Sequence, residues 1–348
     1  MGTDRADPER ATAGVESFDR VARLLTPVLI VAVLLVGLEA YLRLVVDDGM
    51  NFDLEMWKYA KQIKQRSADP LIGHEHRPLA HAHLMGVDID TNSFGHRDRE
   101  VSVARQPGVP RVVMIGDSFT EGWGVPVEQT VSKRVERLFE CEHHPVEVIN
   151  TGVGNSGSVQ EVERFLTRDA RFNPDLVVLN FDFRSAIPVP RYGYDGPLVQ
   201  HSEALVFLTS GSDALQRLFG ARKHWDEDYL ALFDGPGWPP ARMAIHRLAD
   251  YCRQRRVQLL IVNWPELHDV QHYRLGRITA LIRQVADDEG APFVDLLDAV
   301  KNEDSSKLWV TPPDPHPNGY ANGLFATYLF PFVRQLIERI TSNGAVRS

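Results

Sequence analysis

Gly116-Asp117-Ser118-Phe119-Thr120 places a serine hydroxyl in a short turn directly after the apolar run Val112-Val113-Met114-Ile115. That run reads as a buried strand. A serine between strand and helix carries its hydroxyl at the carboxyl edge of a sheet. Its backbone N–H then lies near a helix N-terminus, where developing negative charge is favoured. The turn is not the G-x-S-x-G elbow of the α/β-hydrolases, because Thr120 stands at the final glycine position. Taken alone, the triplet describes a helix N-cap serine equally well. A nucleophilic serine needs a base within hydrogen-bond reach, and the base needs an acceptor that orients it. Asp314-Pro315-His316-Pro317-Asn318 offers both near the C-terminus, in a segment stiffened by Pro312, Pro313, Pro315 and Pro317. Asp314 is placed to accept from the His316 imidazole and so to fix its tautomer. A helix-capping turn is the bland alternative for His-Pro-Asn. What points to acyl transfer is the pairing of the two turns at opposite ends of one alternating α/β unit.

Other polar groups are weighed against this pair. Glu266, His268 and Asp269 follow the run Val257–Val262, at the same sheet edge. They read either as substrate contacts or as a solvated loop that caps the next helix. His74, His76, His81 and His83 form two H-x-H pairs, each sharing one face of an extended strand. No cysteine or clear carboxylate set accompanies them, so a metal site is not assigned. Asn180 lies inside a strand and reads as structural.

The elements that must position the serine and histidine run from Val109 onward. Strand Val112–Ile115 is followed by a helical stretch from Glu128 to Glu142. Then come strand Val146–Ile149, helix Val159–Phe172 and strand Leu176–Phe181. Helix Ala241–Arg256 leads to strand Val257–Val262, helix Val270–Asp288 to strand Pro292–Leu297, and a last helix spans Asn318 to Thr341. Strands alternating with helices predict a three-layer α/β sandwich with a mainly parallel five-stranded sheet. Such sheets bind ligands beyond the carboxyl ends of their strands. Residues 184–238 interrupt the alternation with Pro, Gly and aromatic residues, and read as an irregular insertion that forms a lid or substrate wall. Upstream, Asn51–Arg66 has helical spacing of Phe52, Met56, Tyr59 and Ile63, and residues 67–108 read as a polar connector.

The N-terminus sets the compartment. Residues 24–46 are apolar apart from Glu39 and Arg43 near one end, where long side chains reach the interface. The run is long enough for a transmembrane anchor and long for a signal peptide. Arg5, Arg10, Arg20 and Arg23 precede it, which favours a cytoplasmic N-terminal tail over residues 1–23. The α/β domain, residues 109–348, is then expected outside the cytoplasmic membrane, in a periplasmic setting. A net charge of -9 argues against nucleic acid as the main partner. The two cysteines, Cys141 and Cys252, read as reduced residues in helices.

At this point the chain resembles the GDSL/SGNH hydrolases. Gly116–Thr120 looks like their first sequence block, Asn150-Thr151-Gly152-Val153-Gly154-Asn155 like the second, and Asp314–Asn318 like the last. Thr91–Asp98 and Gly122-Trp123-Gly124-Val125 look like features of membrane-anchored bacterial members. The resemblance implies a flavodoxin-like fold and catalysis by Ser118, Asp314 and His316 without cofactor or metal. It implies an oxyanion hole of the Ser118 N–H, a second-block backbone N–H and a third-block asparagine. The second-block glycine falls on Asn155, with Gly154 before it, and Arg184 stands where the asparagine belongs. Arg184 is therefore a candidate oxyanion donor, with Gly154 and Asn155. The implied substrate is an O-acyl group, expected to be acetyl, on an extracytoplasmic carbohydrate or lipid. One alternative is acyl transfer to another sugar hydroxyl rather than to water, which the sequence does not separate from hydrolysis. The other is a non-catalytic member that binds glycan or scaffolds envelope assembly, which Arg184 makes credible.

Overall fold

The computed structural model describes residues 8–188, 201–219, 225–312 and 314–342. Along the chain run α1 (Pro8–Tyr41), α2 (Phe52–Gln62), β1 (Lys64–Arg66), β2 (His74–His76), β3 (His81–Leu84) and β4 (Val87–Asp90). Then follow β5 (Arg111–Ile115), α3 (Ser118–Glu121), α4 (Val131–Cys141), β6 (Glu147–Asn150), α5 (Ser158–Thr167) and β7 (Leu176–Phe181). Next are α6 (Glu203–Leu218), α7 (Trp225–Asp234), α8 (Trp238–Arg255), β8 (Gln258–Asn263) and α9 (Gly276–Glu289). The chain closes with β9 (Phe293–Asp295), α10 (Leu297–Val300), β10 (Trp309–Thr311), β11 (Asp314–Pro317) and α11 (Gly319–Ser342).

The central sheet has five strands in the order β6-β5-β7-β8-β9, all parallel. This is the expected fold. Its middle strands are apolar on both faces because helices cover both: every residue of β5 and β7 is buried. Right-handed crossovers send α4 to one face and α5, α8 and α9 to the other. Accordingly α4 packs with α11, and α5 with α8. The strand order reverses at β5: the chain first steps outward to β6, then back past β5 to β7. A crevice opens at the carboxyl end of such a reversal.

Several expectations are corrected. The helix expected over Asn51–Arg66 stops at Gln62, because Lys64–Arg66 pairs antiparallel with His74–His76. The supposed connector 67–108 contains a second hairpin, β3 with β4. These strands are three or four residues long. Ala82, Leu84, Met85 and Ile89 of that hairpin join Met56, Tyr59, Ile63 and Trp123 in a small apolar core of their own. The insertion is helical at α6 and α7; part of it, residues 189–200 and 220–224, lies outside the described residues.

The N-terminal apolar stretch is helical and continues as a π-helix over Leu42–Val46. Arg23–Val46 is long and apolar enough to cross a membrane. Glu39 does more than reach an interface. Its carboxylate accepts from Ser202 Oγ at 2.8 Å and from the backbone N–H groups of Glu203 and Ala204 at 3.1 and 2.9 Å. It therefore caps the N-terminus of α6, and Arg43 pairs with it one turn on.

Candidate active site

The turn after β5 is shaped by its own polar groups. Asp117 is the N-cap of α3, and its carboxylate accepts from Phe119 N–H at 2.9 Å. That leaves Ser118 as the first helical residue. The second-block turn packs directly on it: a Cβ at Gly152 would lie 2.3 Å from Glu121 N and 2.8 Å from Asp117 O, so only glycine fits. Asn150 ties the two turns together, donating from Nδ2 to Thr120 O at 2.8 Å and accepting from Gly152 N–H at 3.0 Å.

The C-terminal segment comes to the same place. β11 pairs with β10, and its register brings His316 over the serine. Ser118 Oγ and His316 Nε2 are 2.8 Å apart. His316 Nδ1 makes a close contact with Asp314 Oδ1, which also accepts from His316 N–H at 3.1 Å. A carboxylate only accepts, so Nδ1 carries the proton and Nε2 is left to take one from the hydroxyl. Asp314 is fully buried, and Ser118 and His316 are 4% and 6% exposed. The His316 ring is held at 5.0 Å from the Phe119 ring and 5.8 Å from that of Phe52. Trp123 Nε1 donates to Asp314 Oδ2 at 3.0 Å.

The candidate oxyanion donors separate. Gly154 N–H is occupied by the Tyr59 hydroxyl at 2.9 Å and Glu121 Oε2 at 3.1 Å, so the expectation that it serves an oxyanion is corrected. Among the described residues, the Ser118 and Asn155 N–H groups have no such acceptor. Asn155 takes a left-handed conformation, φ 59°, which a glycine would adopt without a steric penalty. Arg184 comes to this turn: its Nη2 donates to Asn155 Oδ1 at 3.3 Å, and its backbone N–H donates to Asp182 Oδ1 at 2.7 Å.

Behind the serine lie three buried acids. Burial, then the Asp182 carboxylate, pushes Asp117 well above the usual carboxylate range. Burial and the Asp182 charge likewise raise Glu161, to about 8. Glu161 therefore holds its proton beside the site at neutral pH.

The remaining candidates have other partners. Glu266 and His268 pair with each other, and His268 packs between the Trp225 and Trp309 rings, each 5.2 Å away. His74 and His76 are buried in β2, whereas His81 and His83 are exposed and bond to Asp90 and Asp88. The two H-x-H pairs thus do not converge, and among the described residues no group of three or more ligands suits a metal. Asn180 accepts from Trp264 Nε1 at 2.9 Å, a structural bond. Among the described residues, Cys141 and Cys252 form no disulfide. Sequence reasoning missed Lys64, and it took Phe52 and Tyr59 only as helix positions and His74 only as one of an H-x-H pair. For Trp123 it had only the motif and no sign that the indole serves the acid.

The chain belongs to the GDSL-like lipase/acylhydrolase family, whose model matches residues 114–322. Among solved structures it is similar to TesA, at 14% identity over 65% of this chain and 99% of that one, with a TM-score of 0.44. It is also similar to the acetyl xylan esterase AlAXEase, at 15% identity over 64% and 99% of the two chains, TM-score 0.41. A lipase/acylhydrolase from Enterococcus faecalis aligns at 14% identity over 65% and 96%, TM-score 0.41. A search of curated proteins found no match.

Proposed function

We propose that this acylhydrolase-family protein is a serine esterase anchored in the cytoplasmic membrane, with its catalytic domain outside the cytoplasm. Ser118 attacks the ester carbonyl. His316 takes its proton through Nε2 and returns it to the leaving alcohol, and Asp314 stabilises the imidazolium formed between. Water, deprotonated by His316, then attacks the acyl-serine, the acid leaves and Ser118 Oγ recovers its proton from His316. The Ser118 and Asn155 N–H groups hold the oxyanion, with the Arg184 guanidinium as the side-chain donor in place of asparagine. The substrate is an O-acyl, chiefly acetyl, ester on an envelope carbohydrate or lipid.

One observation carries this reading: the 2.8 Å contact between Ser118 Oγ and His316 Nε2, backed by Asp314 on the far side of the ring. Supporting the location are the apolar span Arg23–Val46 and the arginines before it. The test is release of acetate from an O-acetylated polysaccharide by the detergent-solubilised full chain. Acetate release that disappears in Ser118→Ala supports the esterase. Equal release by both proteins refutes it.

A further inference from the structure

The turn that presents Asn155 is gripped from behind by residues that precede the family-matched stretch 114–322. Gly154 C=O accepts from Lys64 Nζ at 3.0 Å and from His74 Nε2 at 3.0 Å. A carbonyl only accepts, so His74 carries a proton on Nε2. On its other side, Gly154 is closed in by Tyr59: a Cβ there would lie 2.9 Å from the Tyr59 ring. Lys64, His74, Tyr59 and Glu121 are all buried.

Gly154 C=O and Asn155 N–H belong to one planar peptide unit, and in a trans peptide they point in opposite directions. A carbonyl drawn toward Lys64 and His74 therefore sends the N–H the other way. An ammonium on the oxygen also polarises the unit, which strengthens the N–H as a donor in a site of low dielectric. We propose that Lys64 is a positioning residue, whose ammonium aims and strengthens the Asn155 N–H as an oxyanion donor through the Gly154–Asn155 peptide. This rests on the esterase reading above. Lys64 touches the peptide, not the substrate.

The charge on Lys64 is balanced by its surroundings. Burial pulls its pKa down to about 7, Glu121 of α3 opposes the fall, and Arg184 adds to it. Also facing it are the Tyr59 ring, 4.7 Å from Nζ, and the two histidines of β2: burial and then Lys64 depress His74 to about 3, and burial, Arg164 and Lys64 hold His76 well below the usual imidazole range. The lysine is thus charged below neutral pH and loses its proton as pH rises through about 7. Donor strength at Asn155 should fall in the same interval.

The experiment compares wild type, Lys64→Met and Lys64→Arg as full chains in detergent, with p-nitrophenyl acetate as substrate, between pH 5.5 and 9. Lys64→Met is expected to lower kcat about tenfold at unchanged KM, less than the roughly 10²–10³ lost when an oxyanion donor is deleted. It should also lack the alkaline fall seen in wild type near pH 7. Lys64→Arg keeps the charge at all these pH values; it should restore most of kcat and hold it to pH 9. A Lys64→Met protein with wild-type melting temperature and wild-type kcat overturns the proposal. If Lys64→Met does not fold, the other two proteins decide: an alkaline fall that Lys64→Arg removes supports it, and identical profiles overturn it. Absence of Ser118-dependent turnover in wild type would overturn this proposal together with the esterase reading.

Discussion

Replacing Asp314 by asparagine places a group with one acceptor and one donor where three donors converge. Asp314 Oδ1 faces His316 Nδ1 and His316 N–H, and Oδ2 faces Trp123 Nε1. With the amide oxygen turned to His316, the amide NH2 meets the Trp123 N–H. With the oxygen turned to Trp123, the NH2 meets the His316 backbone N–H and forces the imidazole proton onto Nε2, where it cannot accept from Ser118. Losing the correct tautomer in a serine–histidine–aspartate site costs about 10⁴ in rate. We expect Asp314→Asn to lower kcat by a similar factor. A buried donor–donor conflict is worth about 1–3 kcal/mol, and about 1.4 kcal/mol is tenfold in rate. Adding Trp123→Phe removes the conflict in the productive orientation, so the double variant should regain roughly tenfold over Asp314→Asn alone. By itself Trp123→Phe takes a charge-assisted bond from Asp314 and should slow the enzyme about three- to tenfold. Steady-state hydrolysis of p-nitrophenyl acetate, with melting temperatures as a control, measures all four proteins. A double variant slower than Asp314→Asn would refute this account of how the acid orients the base.

Glu161 is protonated in the folded state up to about pH 8 and ionised when unfolded above its ordinary value of 4.5. The folded state then binds more protons, so its stabilising contribution is present below pH 4.5 and is lost as pH rises to about 8. The melting temperature should fall over that interval, and Glu161→Gln should flatten the fall. Asn155→Gly keeps the backbone N–H and suits φ 59°, so kcat should stay within about threefold; a loss above about 100-fold would mean that the side chain, not the N–H, does the work. Glu39→Ala removes the acceptor at the start of α6 and should destabilise that helix locally by about 0.5–2 kcal/mol. Hydrogen exchange would report faster exchange at Glu203 and Ala204 with unchanged hydrolysis; no change in exchange would show that the cap is idle.

Much of the scaffold was legible because parallel strands buried on both faces are short apolar runs with clear ends. β7 was read at its observed limits, Leu176–Phe181, and β5 and β8 within a residue. The small hairpins were not legible. Strands of three or four residues, such as His74–His76 and His81–Leu84, are too short to display a period. Their apolar residues also pack on α2 and Trp123 rather than on the main core. Helix α6 was hidden because its capping acceptor, Glu39, lies in a distant helix. At the site, Ser118, Asp314 and His316 could be singled out because the Gly-Asp-Ser and Asp-Pro-His turns are recognisable patterns in sequence, and the structure brings the three side chains together. Tyr59, Lys64 and His74 act on a backbone unit, and a buried lysine beside a carbonyl leaves no pattern of spacing. The choice between Gly154 and Asn155 was likewise invisible, since it depends on which N–H the Tyr59 hydroxyl occupies.

Fluorophosphonate labelling of the detergent-solubilised full chain, with the modified peptide mapped by mass spectrometry, bears most directly on the central claim. Stoichiometric phosphonylation at Ser118, at a rate that collapses in His316→Ala, is the predicted result. A folded protein left unlabelled, or labelled equally well without His316, would contradict it.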